Sequence, residues 1–282
     1  MTTRPTPDET LTSTDQLRRI TVVAAEVFCV VGTLVGLGVL GTRVAESSGG
    51  ALASTATLIA PATPAFSIWT PIYLGLLAYA VWQALPANAV RARVRRTGWL
   101  AAASMVLNAG WLLVTQQGWI WAGVAVIVAL ALTLGVLLRR LTEQPAGSPV
   151  ERVVIDGTFG AYLGWVAVAT CANVTAALVD SGVELSAWLS QLVAVLVIAV
   201  AGGLGVLFAR RLGGRWAVAG AMAWGLAWIA VGRIADSPRS LVTGLAAVVA
   251  ALVVLAAAAH WHVPAHSAGG RARSAARLQP EG

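Results

Sequence analysis

Residues Gly118–Arg140 read GWIWAGVAVIVALALTLGVLLRR. No charge interrupts the run before Arg139 and Arg140, and the apolar residues fall on every face instead of alternating. A helix needs about 20 such residues to cross the hydrocarbon of a bilayer, and the closing arginines then reach the headgroups. Similar runs recur at 20–42, 65–85, 99–117, 156–179, 187–209, 215–234 and 239–261. A membrane barrel would show short alternating strands, which these runs do not. The sequence therefore predicts an all-α, polytopic membrane helix bundle of about eight transmembrane helices.

Composition agrees. The chain has 282 residues, 58% apolar and 11% charged, with a mean hydropathy of +0.78. Soluble domains carry about 25% charge. All 19 basic residues are arginine. Without lysine there is no ε-amine for a retinal or pyridoxal Schiff base, nor for a P-loop. With the N-terminus inside, 16 of the 19 arginines fall on the inner side. By the positive-inside rule this predicts cytoplasmic N- and C-termini in a bacterial plasma membrane. The net charge of +7 is then a topology signal with some attraction to membrane lipid, not a nucleic acid footprint. The Arg91–Arg96 cluster reads as a stop-transfer loop. Cys29 and Cys171 lie in apolar runs and read as small buried hydrophobes. Residues 1–17 are polar and read as a disordered tail, as do residues 263–282.

Polar and indole residues mark the informative faces. Trp82, Trp99, Trp119, Trp121, Trp188, Trp216 and Trp261 fall near span ends, as an interfacial belt does. Trp69, Trp111, Trp165, Trp224 and Trp228 lie deeper, where an indole N–H needs a partner. Span two carries Phe66, Trp69 and Tyr73 at helical spacing. Span three carries Ser104, Asn108, Trp111 and Thr115, and span five carries Tyr162, Trp165, Ala169 and Asn173. An amide facing lipid leaves its hydrogen bonds unmet, so these faces should turn inward. They either line a cavity for a large planar apolar ligand or serve as glue between helices. Ala172 reads as lying on a different face from Ala169. The connection at 43–64, rich in small residues and holding Pro61 and Pro64, is long enough to fold over the outer mouth. Gly32/Gly36 and Ala219/Ala223/Ala227 have the small-xxx-small spacing of close helix pairs.

Other features carry less. Gly36–Gly41 spells G-x-G-x-x-G, but no strand precedes it, so it reads as helix packing. His260, His262 and His266 read as an interfacial anchor, with a metal site as the alternative. The Asn173-Val174-Thr175 sequon lies within a span and reads as silent. Glu26 is an intramembrane acid: a snorkelling or helix-bonding group, or the proton or cation site of a transporter. Arg233 reads as snorkelling outward.

Trp69-Thr70-Pro71-Ile72-Tyr73 resembles the W-T-x-x-Y element of the tryptophan-rich sensory protein family (TspO/MBR, the translocator protein family). Asn108-Ala109-Gly110-Trp111 is similar to that family's N-x-x-W. Tyr162 to Asn173 is similar to its Y-x-x-W-x-x-x-A-T-x-x-N. The elements occur in family order on the expected helices. The resemblance implies a five-helix bundle over residues 18–180 that binds porphyrins or sterol-like lipids under the first loop, leaving 181–262 as three additional helices. By motif position Trp69, Tyr73, Asn108, Trp111, Tyr162, Trp165, Ala169 and Asn173 line the pocket. A porphyrin or haem-like tetrapyrrole is the implied ligand. The alternative function is a secondary transporter of a small hydrophobic solute with Glu26 as coupling acid. No Ser-His-Asp set, carboxylate pair or metal cluster lies in the spans, so an enzyme is not expected. A homodimer is left open.

Overall fold

The computed structural model describes residues 10–36, 38–44 and 46–262. Eight helices among them are long and apolar enough to cross a membrane. They are α1 (Ser13–Gly36), α2 (Trp69–Ala84), α3 (Ala92–Gln116), α4 (Ile120–Glu143), α5 (Thr158–Asp180), α6 (Ala187–Leu212), α7 (Trp216–Ile234) and α8 (Leu241–Trp261), the spans of α2 and α5 beginning earlier, at Thr63 and Pro149, in the turns that lead into them. A 3-10 turn at Thr63–Ile68 leads into α2, and a π-helical turn at Arg152–Gly157 leads into α5.

Boundaries differ from the hydropathy reading where local chemistry intervenes. The Thr12 hydroxyl accepts from the Asp15 amide at 3.2 Å, and the Asp15 carboxylate accepts from the Thr12 amide at 3.1 Å. This reciprocal cap starts α1 at Ser13, so part of the stretch read as a disordered tail to residue 17 is helix. Residues 1–9 and 263–282 lie outside the described residues. α1 also stops at Gly36, short of residue 42. Gly38 adopts φ +78°, and the Val39 and Gly38 amides close on the Leu34 and Val35 carbonyls at 3.0 and 2.9 Å. Such a left-handed stop favours glycine. The G-x-G-x-x-G stretch thus straddles a helix end.

The arginine cluster is not a loop. α3 begins at Ala92, and Arg93 is buried. Its guanidinium meets Asp156 at 2.7 Å and Glu151 at 3.4 Å. Asp156 also takes Arg215 at 2.5 Å, and Asp15 takes Arg18 and Arg95, each at 2.7 Å. Arg93, Arg95 and Arg215 tie helices together, because buried acids from other segments meet them, while Arg18 shares Asp15 on its own helix.

α1 packs on α2 and α3, α3 on α4, α4 on α5, and α5 on α2, closing a five-helix ring. α7 lies against α5, α8 against α7, and α6 against α8. A Cβ at Gly32 would collide with Ala109, and one at Gly36 with Leu112, so this pair does let α1 approach α3 closely. On α7 the alanine row is only partly inward, with Ala219 buried and Ala227 exposed. There the close approach comes from α5, where Gly160 abuts Ala217 and Gly164 abuts Val218.

A lidded aromatic cavity

The three polar-aromatic stripes converge inside the ring. Trp69 stacks on Tyr73 with centroids 5.1 Å apart, one turn along α2. Its edge contacts reach Tyr162 at 5.9 Å and Trp165 at 6.1 Å on α5, and Phe66 meets Trp165 at 5.6 Å. The 3-10 turn, opened by Thr63-Pro64, puts Phe66 and Trp69 together at the head of α2. From α3, the Asn108 amide nitrogen donates to the Tyr73 hydroxyl at 3.2 Å and to the Cys29 sulfur at 3.4 Å. The Trp111 indole donates to Asn173 Oδ1 at 3.1 Å, and Asn173 Nδ2 donates to the Ala169 carbonyl at 2.9 Å. Asn173 therefore binds α3 to α5, as a helix-gluing amide does.

These side chains border a cavity of about 50 Å³. Trp69, Asn108, Trp111, Trp165, Ala169 and Asn173 line it. Tyr73 and Tyr162 stand behind that wall: Tyr73 backs Trp69, and the Tyr162 hydroxyl donates to the Ser104 carbonyl at 3.2 Å. Ala172 lines the cavity as well, which corrects its assignment to another face. Residues three apart on a helix differ by only about 60° in direction, so Ala169 and Ala172 share a wall.

Among the described residues, two buried atoms of the lining stand without partners, the Trp165 indole nitrogen and the Asn108 amide oxygen. Thr57 in the roof adds an unpartnered hydroxyl. The site thus offers one N–H donor, one carbonyl acceptor and a hydroxyl in an otherwise apolar, aromatic enclosure. Buried polar atoms are rarely left unpaired.

The roof is the connection between α1 and α2, which contributes Leu52, Thr57, Ala60 and Pro61 among others. On one side Gln116 exchanges two hydrogen bonds with the Thr42 backbone, at 3.1 and 2.6 Å, and Ser48 Oγ donates to the Thr115 carbonyl. On the other side α7 holds it. The Arg233 guanidinium, 1% exposed, donates to the carbonyls of Ser54, Thr57 and Pro238 at 2.9, 3.2 and 2.9 Å. The Ala62 amide donates to the Trp228 carbonyl at 3.1 Å, and the Trp224 indole donates to the Ala65 carbonyl at 2.9 Å. Arg233 does not snorkel outward: the loop folds back and brings carbonyls to it. Nothing in the sequence of this small-residue loop announces these contacts, because they use backbone oxygens.

Glu26 also points inward, 3% exposed, rather than snorkelling to an interface, and among the described residues neither carboxylate oxygen has a hydrogen-bond partner. At the far end of α8, His262 Nδ1 lies 3.1 Å from the Gly214 carbonyl, and its ring meets Trp216. His266 lies outside the described residues.

A family model described as TSPO-like protein matches residues 19–259. The chain belongs to the TSPO-like protein family. The match runs on through α6, α7 and into α8, so these helices fall within it, although the motif resemblance stops near residue 180. No curated protein and no solved structure matches the chain. The chain is a TSPO-like integral membrane protein in which one of three further helices, α7, braces the loop over the cavity.

Proposed function

We propose that this TSPO-like protein binds a hydrophobic planar ligand, porphyrin-like or sterol-like, in the cavity under the α1–α2 loop. The observation that carries the reading is the unpartnered Trp165 N–H and Asn108 carbonyl set in an aromatic wall. A flat polycyclic ligand with polar edges matches such a wall: rings stack on indole, and a rim carbonyl or pyrrole N–H meets the two free groups. The enclosed space of about 50 Å³ falls well below the roughly 300–1,000 Å³ of ligand pockets. Binding therefore includes displacement of the roof, and the Arg233 clasp is what resists it. A tetrapyrrole is the probe of choice. Its titration into purified protein should quench tryptophan fluorescence saturably, and quenching that rises linearly without limit would end this reading.

A second reading, transport of a small hydrophobic solute, is favoured by Glu26, a buried acid with no bonding partner beneath the cavity. The arginine distribution supports cytoplasmic termini in a bacterial plasma membrane, with the roof on the opposite side.

A further inference from the structure

We propose that Glu26 is a proton-binding site inside the bundle, and that its proton exchanges through the cavity floor past Asn108. The placement comes from helix register. α1 and α3 run side by side, with Gly98 against Arg18 and Gly32 against Ala109. Between those contacts, Glu26 falls level with the turn at Ser104, whose carbonyl takes the Tyr162 hydroxyl. The carboxyl is 3% exposed, and among the described residues both oxygens lack a donor. A carboxylate in the middle of a membrane helix bundle without a donor or counter-ion is strongly disfavoured, whereas the neutral acid is tolerated.

The surrounding groups supply no such counter-ion. On α1 itself the neighbours are Cys29, one turn toward the roof, and, two turns the other way, Arg19, which donates to the Ala84 carbonyl, and Arg18, paired with Asp15 at 2.7 Å. α2 brings Tyr73, α3 brings Ser104 and Asn108, and α5 brings Tyr162, while Tyr79 of α2 lies toward Arg18. Cys29, Tyr73 and Tyr162 lie within electrostatic reach of the carboxyl. Among the described residues no ion pair reaches it.

Access is one-sided. Toward the arginine-rich end, Val22 on α1 and Ala101 on α3 are fully buried and, with the fully buried Leu76 of α2 beside the carboxyl, form an apolar plug. Toward the roof stand the Cys29 thiol, the Tyr73 hydroxyl and the Asn108 amide, already joined by hydrogen bonds, and Asn108 lines the cavity. Water reaching the cavity floor accepts the proton from the Glu26 carboxyl, leaving the carboxylate. The reverse transfer restores the acid.

The test needs no ligand, so its failure leaves the binding proposal standing, and the failure of ligand titration leaves this one standing. Infrared spectra of the full-length protein in lipid nanodiscs should show a protonated-carboxyl C=O band at neutral pH that Glu26→Gln removes. On transfer to deuterated water the band should shift, and the shift should slow at least several-fold in Asn108→Leu and in Ala172→Phe. Tyr79→Phe, on the opposite side of the plug, should leave the rate unchanged. Two variants on the cavity side guard against one that fails to fold, with monodispersity on gel filtration as the check. If Glu26→Gln removes no band, the acid is not protonated and the proposal falls. If Tyr79→Phe slows exchange while the cavity variants do not, the route is wrong.

Discussion

Arg233 on α7 donates to the Ser54 carbonyl at 2.9 Å, joining positions 179 residues apart. With Thr57 and Pro238 it forms a three-carbonyl clasp, so the roof of a cavity lined by α2, α3, α4 and α5 is held by a helix from outside the five-helix ring.

Arg233→Ala should free that roof. Hydrogen bonds to a charged group contribute about 1.5–3 kcal/mol. The substitution should lower the melting temperature in detergent and raise hydrogen exchange in the segment 46–62 while leaving α1 and α3 protected. Lysine lacks the planar fork that reaches several carbonyls, so Arg233→Lys should resemble the alanine variant.

Ala169→Phe and Ala172→Phe should both weaken tetrapyrrole quenching, since both side chains border the cavity. Overpacking costs about 1–3 kcal/mol, or roughly 5- to 100-fold in affinity. Val106→Phe, on an exposed face of α3, should leave the titration unchanged. If all three variants titrate alike, the cavity is not the binding site.

The fold was legible because eight uninterrupted apolar runs leave few alternatives, and the stripes were legible because helical spacing fixes which side chains share a face. Trp69, Asn108, Trp165 and Asn173 meet as that spacing implies. Three things were not legible. Tyr73 and Tyr162 carry the motif but back the wall, because stacking and a bond to Ser104 turn them away from the space. Ala172 shares the wall with Ala169 because a spacing of three turns a helix by only about 60° from the starting direction, a difference too small to change face. The fate of Arg233 depended on where a 20-odd-residue loop returns, which no local pattern states.

Trp111 and Asn173 should be coupled. A double-mutant cycle with Trp111→Phe and Asn173→Ala, read by unfolding in mixed micelles, should give about 0.6 kcal/mol and no more than about 1.7, the range of interhelical hydrogen bonds in membranes. A coupling of zero would mean the 3.1 Å bond adds nothing to α3–α5 packing.

Asp156→Asn should be the most damaging conservative change at the arginine-rich end. It leaves Arg93 and Arg215 without their shared carboxylate, and breaking a buried ion pair costs about 3–5 kcal/mol. Glu143→Gln removes only a half-exposed partner of Arg96 and should cost less than about 1 kcal/mol by the same unfolding assay.

A reporter enzyme fused after Gly282 should be active only on the cytoplasmic side, as the arginine distribution requires. Activity in the outer compartment would invert the whole assignment and place the roof inside.

The clasp also has a consequence for birth order on the ribosome. The five helices that enclose the cavity are complete at Asp180, but Arg233 is made 53 residues later. At about 5–20 residues per second, that lag is roughly 3–10 s. For those seconds the nascent core stands unlatched in the lipid, with the glycine side of α5 uncovered. The seventh helix, made late in synthesis, is the one that closes it.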